Sequence, residues 1–376
     1  MKITKIEVIR NTKPIPLPGS WRPAWDEPDT PDITTMSFSI VKLHTDEGLV
    51  GIGPHAGPIP PLVERSLLGQ DPAYIQGFFD AHMRGRGGSL GRPSVGGIEI
   101  ALWDLLGKAA GLPIFKLLGA CRDRVPAYAA TAQLRTAGEY AEMAVEFRRR
   151  GIRAIKLRMH RPDPADDLAV VRAVRAAVGD AMEIMVDANQ NNVSLHYPYW
   201  TLRTAIRVAE ELEELGVYWL EEPRPRSDLE GLAEMAERFE MYIAGGEHSP
   251  SIYEFRDALW AGAYDIAQPD VTIGQIGISG LRIVSVLADA TGRLIAPHVS
   301  SGGTNGLHLA AALQAMGAFA NGPYVEYKLD LPVLTPETSH LILTEPILIG
   351  ADGCVPIPDK PGLGIELNEE VIARYV

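Results

Sequence analysis

Three acidic residues recur at the ends of short apolar runs: Asp187 after Ile184-Met-Val, Glu221 after Tyr218-Trp-Leu, and Glu247 after Ile243-Ala-Gly-Gly. The intervals of 34 and 26 residues suit a repeating strand–helix unit with each acid at the carboxyl end of a strand. On adjacent parallel strands the three carboxylates converge. Two unit charges about 4 Å apart repel by roughly 4 kcal/mol at an effective dielectric of about 20, so the cluster requires a cation. A hard divalent ion with oxygen ligands removes the repulsion, and one Mg²⁺ is the expected cofactor. Three unrelated surface acids are the plainer alternative, and their recurrence in successive units weighs against it.

The other strand ends are polar as well. One reads Lys156-Leu-Arg158-Met-His160, others Gln268-Pro-Asp270, Ala296-Pro-His298 and Val325-Glu326. Strand alternation places Lys156, Arg158 and His160 on one face. Ion pairing with the acids is the plain role for the first two. Asp270 and His298 fall on neighbouring strands, where a carboxylate behind an imidazole fixes its tautomer and raises its basicity, as general acid/base chemistry needs. Glu326 is either a protonated donor to a substrate carboxylate or part of a polar mouth. His44, His82, His196, His308 and His340 carry no pattern.

These residues must be positioned by the elements around them. Residues 1–10 and 36–53 read as antiparallel strands with a turn at Asp46-Glu-Gly48. Residues 19–31 and 53–61 are rich in Pro and Gly and hold Trp21, Trp25 and His55, equipment for lids rather than spacers. Ile98, Ala101, Leu102 and Leu105 make a helical stripe. Short apolar strands then recur at 127–131, 154–159, 184–187, 218–221, 243–247, 265–270, 294–300 and 324–327, with amphipathic helices between them at 165–178, 202–215, 229–239 and 280–290. Eight strands alternating with helices predict an α/β chain built on a (β/α)₈ TIM barrel, with its active site at the strand carboxyl ends. Residues 361–368 read as a strand returning to the first domain.

Composition narrows the functions. The 376 residues are enough for two domains, and the apolar fraction of 46% is that of an ordinary globular protein. No apolar run reaches the ~20 residues of a membrane span, and the amino-terminal segment alternates like a strand, without the apolar block of a signal peptide. Two cysteines, Cys121 and Cys354, fit neither a disulfide framework nor a thiolate metal site, and the expected location is cytoplasmic. A net charge of −13 argues against nucleic acid as a partner; no membrane partner is expected either. An anionic substrate would be drawn by the metal and local cations, not by the overall field.

Together, Gly97-Ile-Glu-Ile-Ala-Leu-Trp-Asp-Leu-Leu-Gly-Lys108, Lys156-x-Arg158, Asp187-x-Asn189, Glu221-Glu-Pro223, Gly246-Glu-His248, Gln268-Pro-Asp270 and Pro297-His298 resemble the enolase superfamily, specifically its mandelate racemase branch. The resemblance implies a modified barrel at 126–350, an N-terminal α+β capping domain at 1–125 and a C-terminal segment, 351–376, returning to that domain, with 19–31 and 53–61 as lids. It implies Mg²⁺ on Asp187, Glu221 and Glu247 and an Asp270–His298 dyad beside the substrate, with Lys156, Arg158 and Glu326 in the catalytic set. Substrate contacts are expected from His160, Asn189, His248, Trp21 and His55. It also implies a homo-oligomer and removal of the proton α to a carboxylate through an enediolate. Where racemases of the branch carry a second lysine base, this chain has Arg158, a poor proton acceptor; Lys156 or His160 is left to serve opposite His298, though neither sits where the family's base sits. The first reading is therefore an acid-sugar dehydratase that forms a 2-keto-3-deoxy acid from a small anionic aldonate or aldarate. Its alternatives are a 2-hydroxy-acid racemase or epimerase using Lys156 or a depressed-pKa Arg158, a sugar-acid lactone cycloisomerase, and a non-catalytic binding module on the same fold.

Overall fold

The alternating first segment forms β1 (Ile3–Arg10), which is followed by a hairpin of β2 (Ile15–Trp21) and β3 (Ile33–Met36). Next come β4 (Ser39–Thr45) and β5 (Val50–Pro54), which pair antiparallel with β1 in the order β1-β4-β5. The computed structural model describes residues 1–55, 57–84, 95–191, 199–272 and 276–376. Residue 56 of the second lid and His196 lie outside the described residues.

The helix Val95–Ala110 buries Ile98, Ala101, Leu102 and Leu105 as its spacing predicts. It crosses β5 backbone to backbone: a Cβ at Gly97 would lie 1.6 Å from the Pro54 carbonyl oxygen, so only glycine fits. Two buried acids of this helix tie it to distant parts of the chain. Asp104 accepts the amides of Ile52 at 2.9 Å and Leu363 at 2.8 Å. Glu99 accepts those of Ile278 at 2.8 Å and Ser279 at 3.0 Å, capping the helix Gly277–Ala290 from another part of the chain.

Eight parallel strands follow: β6 (Arg124–Ala130), β7 (Ala154–Arg158), β8 (Glu183–Asp187), β9 (Trp219–Glu221), β10 (Tyr242–Gly245), β11 (Ile266–Ala267), β12 (Leu294–Ile295) and β13 (Val325–Lys328). Their order is β12-β11-β10-β9-β8-β7-β6-β13, so the eighth lies beside the first, as in a sheet curling on itself. The last strand, β14 (Cys354–Pro356), runs antiparallel to β6. Intervening helices start where the sequence supplies caps. Thr136 and Glu139 form a reciprocal capping box, and Asp163, Thr201 and Asp228 accept first-turn amides; each cap stabilises its helix by about 1 kcal/mol. Tyr128, Met185, Trp219, Ala244, Ile266 and Ala296 cluster together on the inward face that also carries the site residues.

Two expectations are corrected. Residues 19–21 belong to β2 rather than to a loop, because this two-stranded ribbon is an edge where proline is tolerated. Residues 361–368 make isolated bridges, Gly362 to Pro113 and Leu367 to Leu343; positive φ at Gly362 and Gly364, 76° and 77°, breaks the extended backbone a strand needs. No helix among the described residues is long and apolar enough to cross a membrane.

Candidate active site

Strand register brings the site together. Arg158 stands opposite Asp187, and Asp187 opposite Glu221. Glu247 follows β10 by two residues; simple alternation from the inward Ala244 would turn it outward. Gly246 prevents this with φ of 110°, a conformation that L side chains rarely adopt. One ligand atom each from Asp187, Glu221 and Glu247 lies within 4.8 Å of the others, and all three residues are buried.

Such crowding has an electrostatic signature. Burial, reinforced by Asp187, pushes the Glu221 carboxyl up to about 7. Burial and Glu247 likewise raise Glu222, whose φ of 45° makes it one of two non-glycine residues with positive φ among the described ones; the other is Asn189, at 39°. Oxygen donors this close, costly as anions, fit a hard divalent ion.

Protein cations offset part of the charge. Lys156 Nζ donates to both Glu221 oxygens at 2.9 Å and lies 3.2 Å from Glu326 Oε1. Burial opposes its charge, but Glu221 and Glu326 outweigh burial, and its pKa stands well above the ordinary lysine value. Arg158 donates through Nε to the Thr131 carbonyl at 2.8 Å and through Nη1 to Asp187 Oδ2 and to Asn189 Oδ1, the latter at 3.0 Å. Its pKa is raised too, burial being overcome by Asp187 and Glu221. Both side chains are thus engaged with acids, Lys156 with Glu221 and Glu326 and Arg158 with Asp187.

His298 Nδ1 lies 2.7 Å from Asp270 Oδ2, and its Nε2 lies 3.3 Å from Glu247 Oε2. Burial disfavours the imidazolium, yet Glu247 and Glu326 raise its pKa. Asp270 is held by donors that the sequence did not single out: Thr272 through its amide at 2.6 Å and hydroxyl at 2.9 Å, and the Ser300 hydroxyl at 2.8 Å. His308, given no role above, reaches Thr272 Oγ1 at 3.2 Å. Gln268 steadies Glu221 with a 2.8 Å bond.

Glu326 departs from one of its two readings. Burial raises its pKa, but Lys156 and Lys328 more than reverse this and hold it well below the ordinary carboxylate value. It accepts from Lys328 and from the Val299 amide, each at 2.9 Å. It is an ionised acceptor, not a protonated donor.

Among the expected substrate contacts, His160 Nε2 lies 2.8 Å from Asn189 Oδ1, and half-buried His248 lies 3.1 Å from Glu247. His55 is buried, and burial lowers its pKa to about 4, with the Gly57 backbone opposing. Trp21 is an anchor: its indole donates to Asp330 Oδ2 at 2.9 Å. Trp25 lies over Arg158, its ring centroid 5.0 Å from the guanidinium carbon, and edge-on to Trp21.

A family profile described as enolase C-terminal domain-like matches residues 139–371, and one described as mandelate racemase / muconate lactonizing enzyme, N-terminal domain, matches residues 30–119. The D-galactarolactone cycloisomerase of Agrobacterium fabrum is 34% identical over 378 residues, covering 92% of this chain and 95% of its own. The L-talarate/galactarate dehydratase of Salmonella typhimurium is 33% identical over 359 residues, covering 90% and 82%. A crystal structure of L-talarate dehydratase from Polaromonas sp. JS666, complexed with Mg and L-glucarate, matches with a TM-score of 0.80 at 31% identity over 99% of this chain and 96% of that one. All three metal-type acids and the Asp270–His298 pair lie inside the C-terminal match, and the chain belongs to the enolase superfamily, in its mandelate racemase branch.

Proposed function

We propose that this protein removes the proton α to the carboxylate of an acid sugar and expels the β-hydroxyl, forming a 2-keto-3-deoxy acid. The observation that carries the reading is the Asp270–His298 pair, whose outer nitrogen faces the three-acid cluster. Asp187, Glu221 and Glu247 hold Mg²⁺, which when bound supplies fixed positive charge for the anion that forms as the proton leaves. Asp270 keeps the proton of neutral His298 on Nδ1, so that Nε2 exchanges protons with the substrate. The C–H electron pair moves toward the carboxylate and then forms the carbon–carbon double bond. The hydroxyl leaves with a proton as water, and the enol product becomes the keto acid. Lys156 and Arg158 act as fixed cations. Residues 1–125 cap a barrel, 126–350, that closes between β12 and β13, and residues 351–376 return to the cap.

A cycloisomerase reading shares the first proton removal and draws support from the Agrobacterium fabrum relative. Incubation with Mg²⁺ and a panel of aldonates, aldarates and their lactones separates the two. Dehydration yields a semicarbazide-reactive keto acid from open-chain acids. Consumption of lactones alone would establish the cycloisomerase, and no α-proton exchange in deuterated water with any compound would overturn both.

A further inference from the structure

Arg158, Asn189 and His160 form a chain of hydrogen bonds whose direction can be deduced. A guanidinium only donates, so the Asn189 atom 3.0 Å from Arg158 Nη1 is the amide oxygen, in the orientation assigned to it. That oxygen is also 2.8 Å from His160 Nε2. Two nitrogens meeting one acceptor must both carry hydrogen, which places the proton of neutral His160 on Nε2 and leaves Nδ1 with a lone pair. Among the described residues the ring's one hydrogen bond runs through Nε2, and the residue keeps 8% of its surface exposed. Burial lowers the pKa of this imidazole, with the Asn189 bond opposing.

The position is as informative as the tautomer. The three acids come from β8, β9 and the end of β10. Strand order puts β7, which leads to His160, on one side of them, and β11 and β12, which lead to Asp270 and His298, on the other. We infer that His160 is a second acid/base residue, whose Nδ1 takes the α-proton from the flank of the substrate opposite His298. Arg158 and Asn189 are its positioning residues. In dehydration from this side the C–H bond breaks toward Nδ1, the electron pair forms the double bond, and His298 gives its proton to the departing hydroxyl, which leaves as water. The next turnover begins after His160 has lost its proton to solvent and His298 has regained one. A racemase's missing base is thus replaced two residues further along the chain.

This inference rests on the proton-abstraction reading, and the experiment separates their failures. The probes are the C2-epimeric pairs D-gluconate with D-mannonate and galactarate with L-talarate, with Mg²⁺ in deuterated water, followed by NMR at the α-proton. His160→Gln keeps a donor for Asn189 but has no basic nitrogen. It should slow α-proton exchange of one epimer about 10²–10⁴-fold, with Mg²⁺ affinity and circular dichroism unchanged, while His298→Asn slows exchange of the other and, by removing the acid, consumption of both. Rates within threefold of the parent for both epimers would overturn the proposal. Nitrogen-15 NMR of the His160 ring reads the tautomer without substrate. Protonation on Nδ1 would overturn it even if the variant misfolds, whereas a wild type silent in every exchange but with Nε2 protonated would count against proton abstraction itself.

Discussion

Asp270 and His298 share an isolated parallel bridge, and their side chains meet at 2.7 Å beyond the last formal pair of β11 and β12. The ladder itself aims the carboxylate at Nδ1. Asp270→Asn can offer an amide N–H to that nitrogen and select the wrong tautomer. Turnover should fall about 10²–10⁴-fold with Mg²⁺ affinity held within a few-fold. Steady-state kinetics beside calorimetric Mg²⁺ titration checks both, and near-normal turnover would remove the dyad from the mechanism.

Glu221→Gln tests the ion site. The neutral amide lowers repulsion within the cluster but removes one anionic ligand, so Mg²⁺ should bind about 100-fold more weakly or worse, the scale lost even on changing groups that only support a ligand. The parent should gain thermal stability as Mg²⁺ rises, about 2.7 kcal/mol at a hundredfold excess over Kd. The variant should gain almost none over the same range. Equal shifts in melting temperature would place the ion elsewhere.

Trp25 covers the face of Arg158, a contact worth about 0.5–2 kcal/mol. Trp25→Leu should therefore reduce kcat/KM by about 2- to 30-fold, leaving Mg²⁺ affinity unchanged. Trp21→Phe acts differently, because it breaks the buried bond to Asp330; its cost should appear in melting temperature as well as in KM.

His308 and His340 are buried, and burial lowers each pKa to about 4. The unfolded chain takes up protons near pH 6.5 that the folded one refuses, so folded stability is full above that pH and declines as pH falls toward 4. Each group can cost up to about 3 kcal/mol across that window. Melting temperature should therefore drop between pH 7.5 and 5 in excess of any drop shown by His340→Gln. Identical slopes would exclude His340 as a source.

Much of this site was readable because the chemistry ends apolar runs. Asp187 and Glu221 close strands that alternation alone orients, and the intervening helices begin at Thr and Asp residues that cap them. Glu247 was located by its spacing, but its inward turn depends on the backbone of Gly246, which alternation does not describe. Trp21 was expected at the substrate; its bond to Asp330 was not legible because that residue lies 309 positions away. Thr272 and Ser300 were invisible for a related reason. A hydroxyl becomes a clamp only when the fold brings a carboxylate to it, and neither residue sits in a motif. His160 was visible as a residue but not as a tautomer, which depends on what Arg158 does to a third side chain.

Lys156, set among Glu221, Glu326 and Asp187, bears on the order of events in the protein's life. Its ammonium and the Arg158 guanidinium travel with the chain, so assembly of the barrel is not conditional on capturing magnesium from the surroundings. The ion arrives at a finished receptacle, and scarcity of the metal should idle the protein without unravelling it.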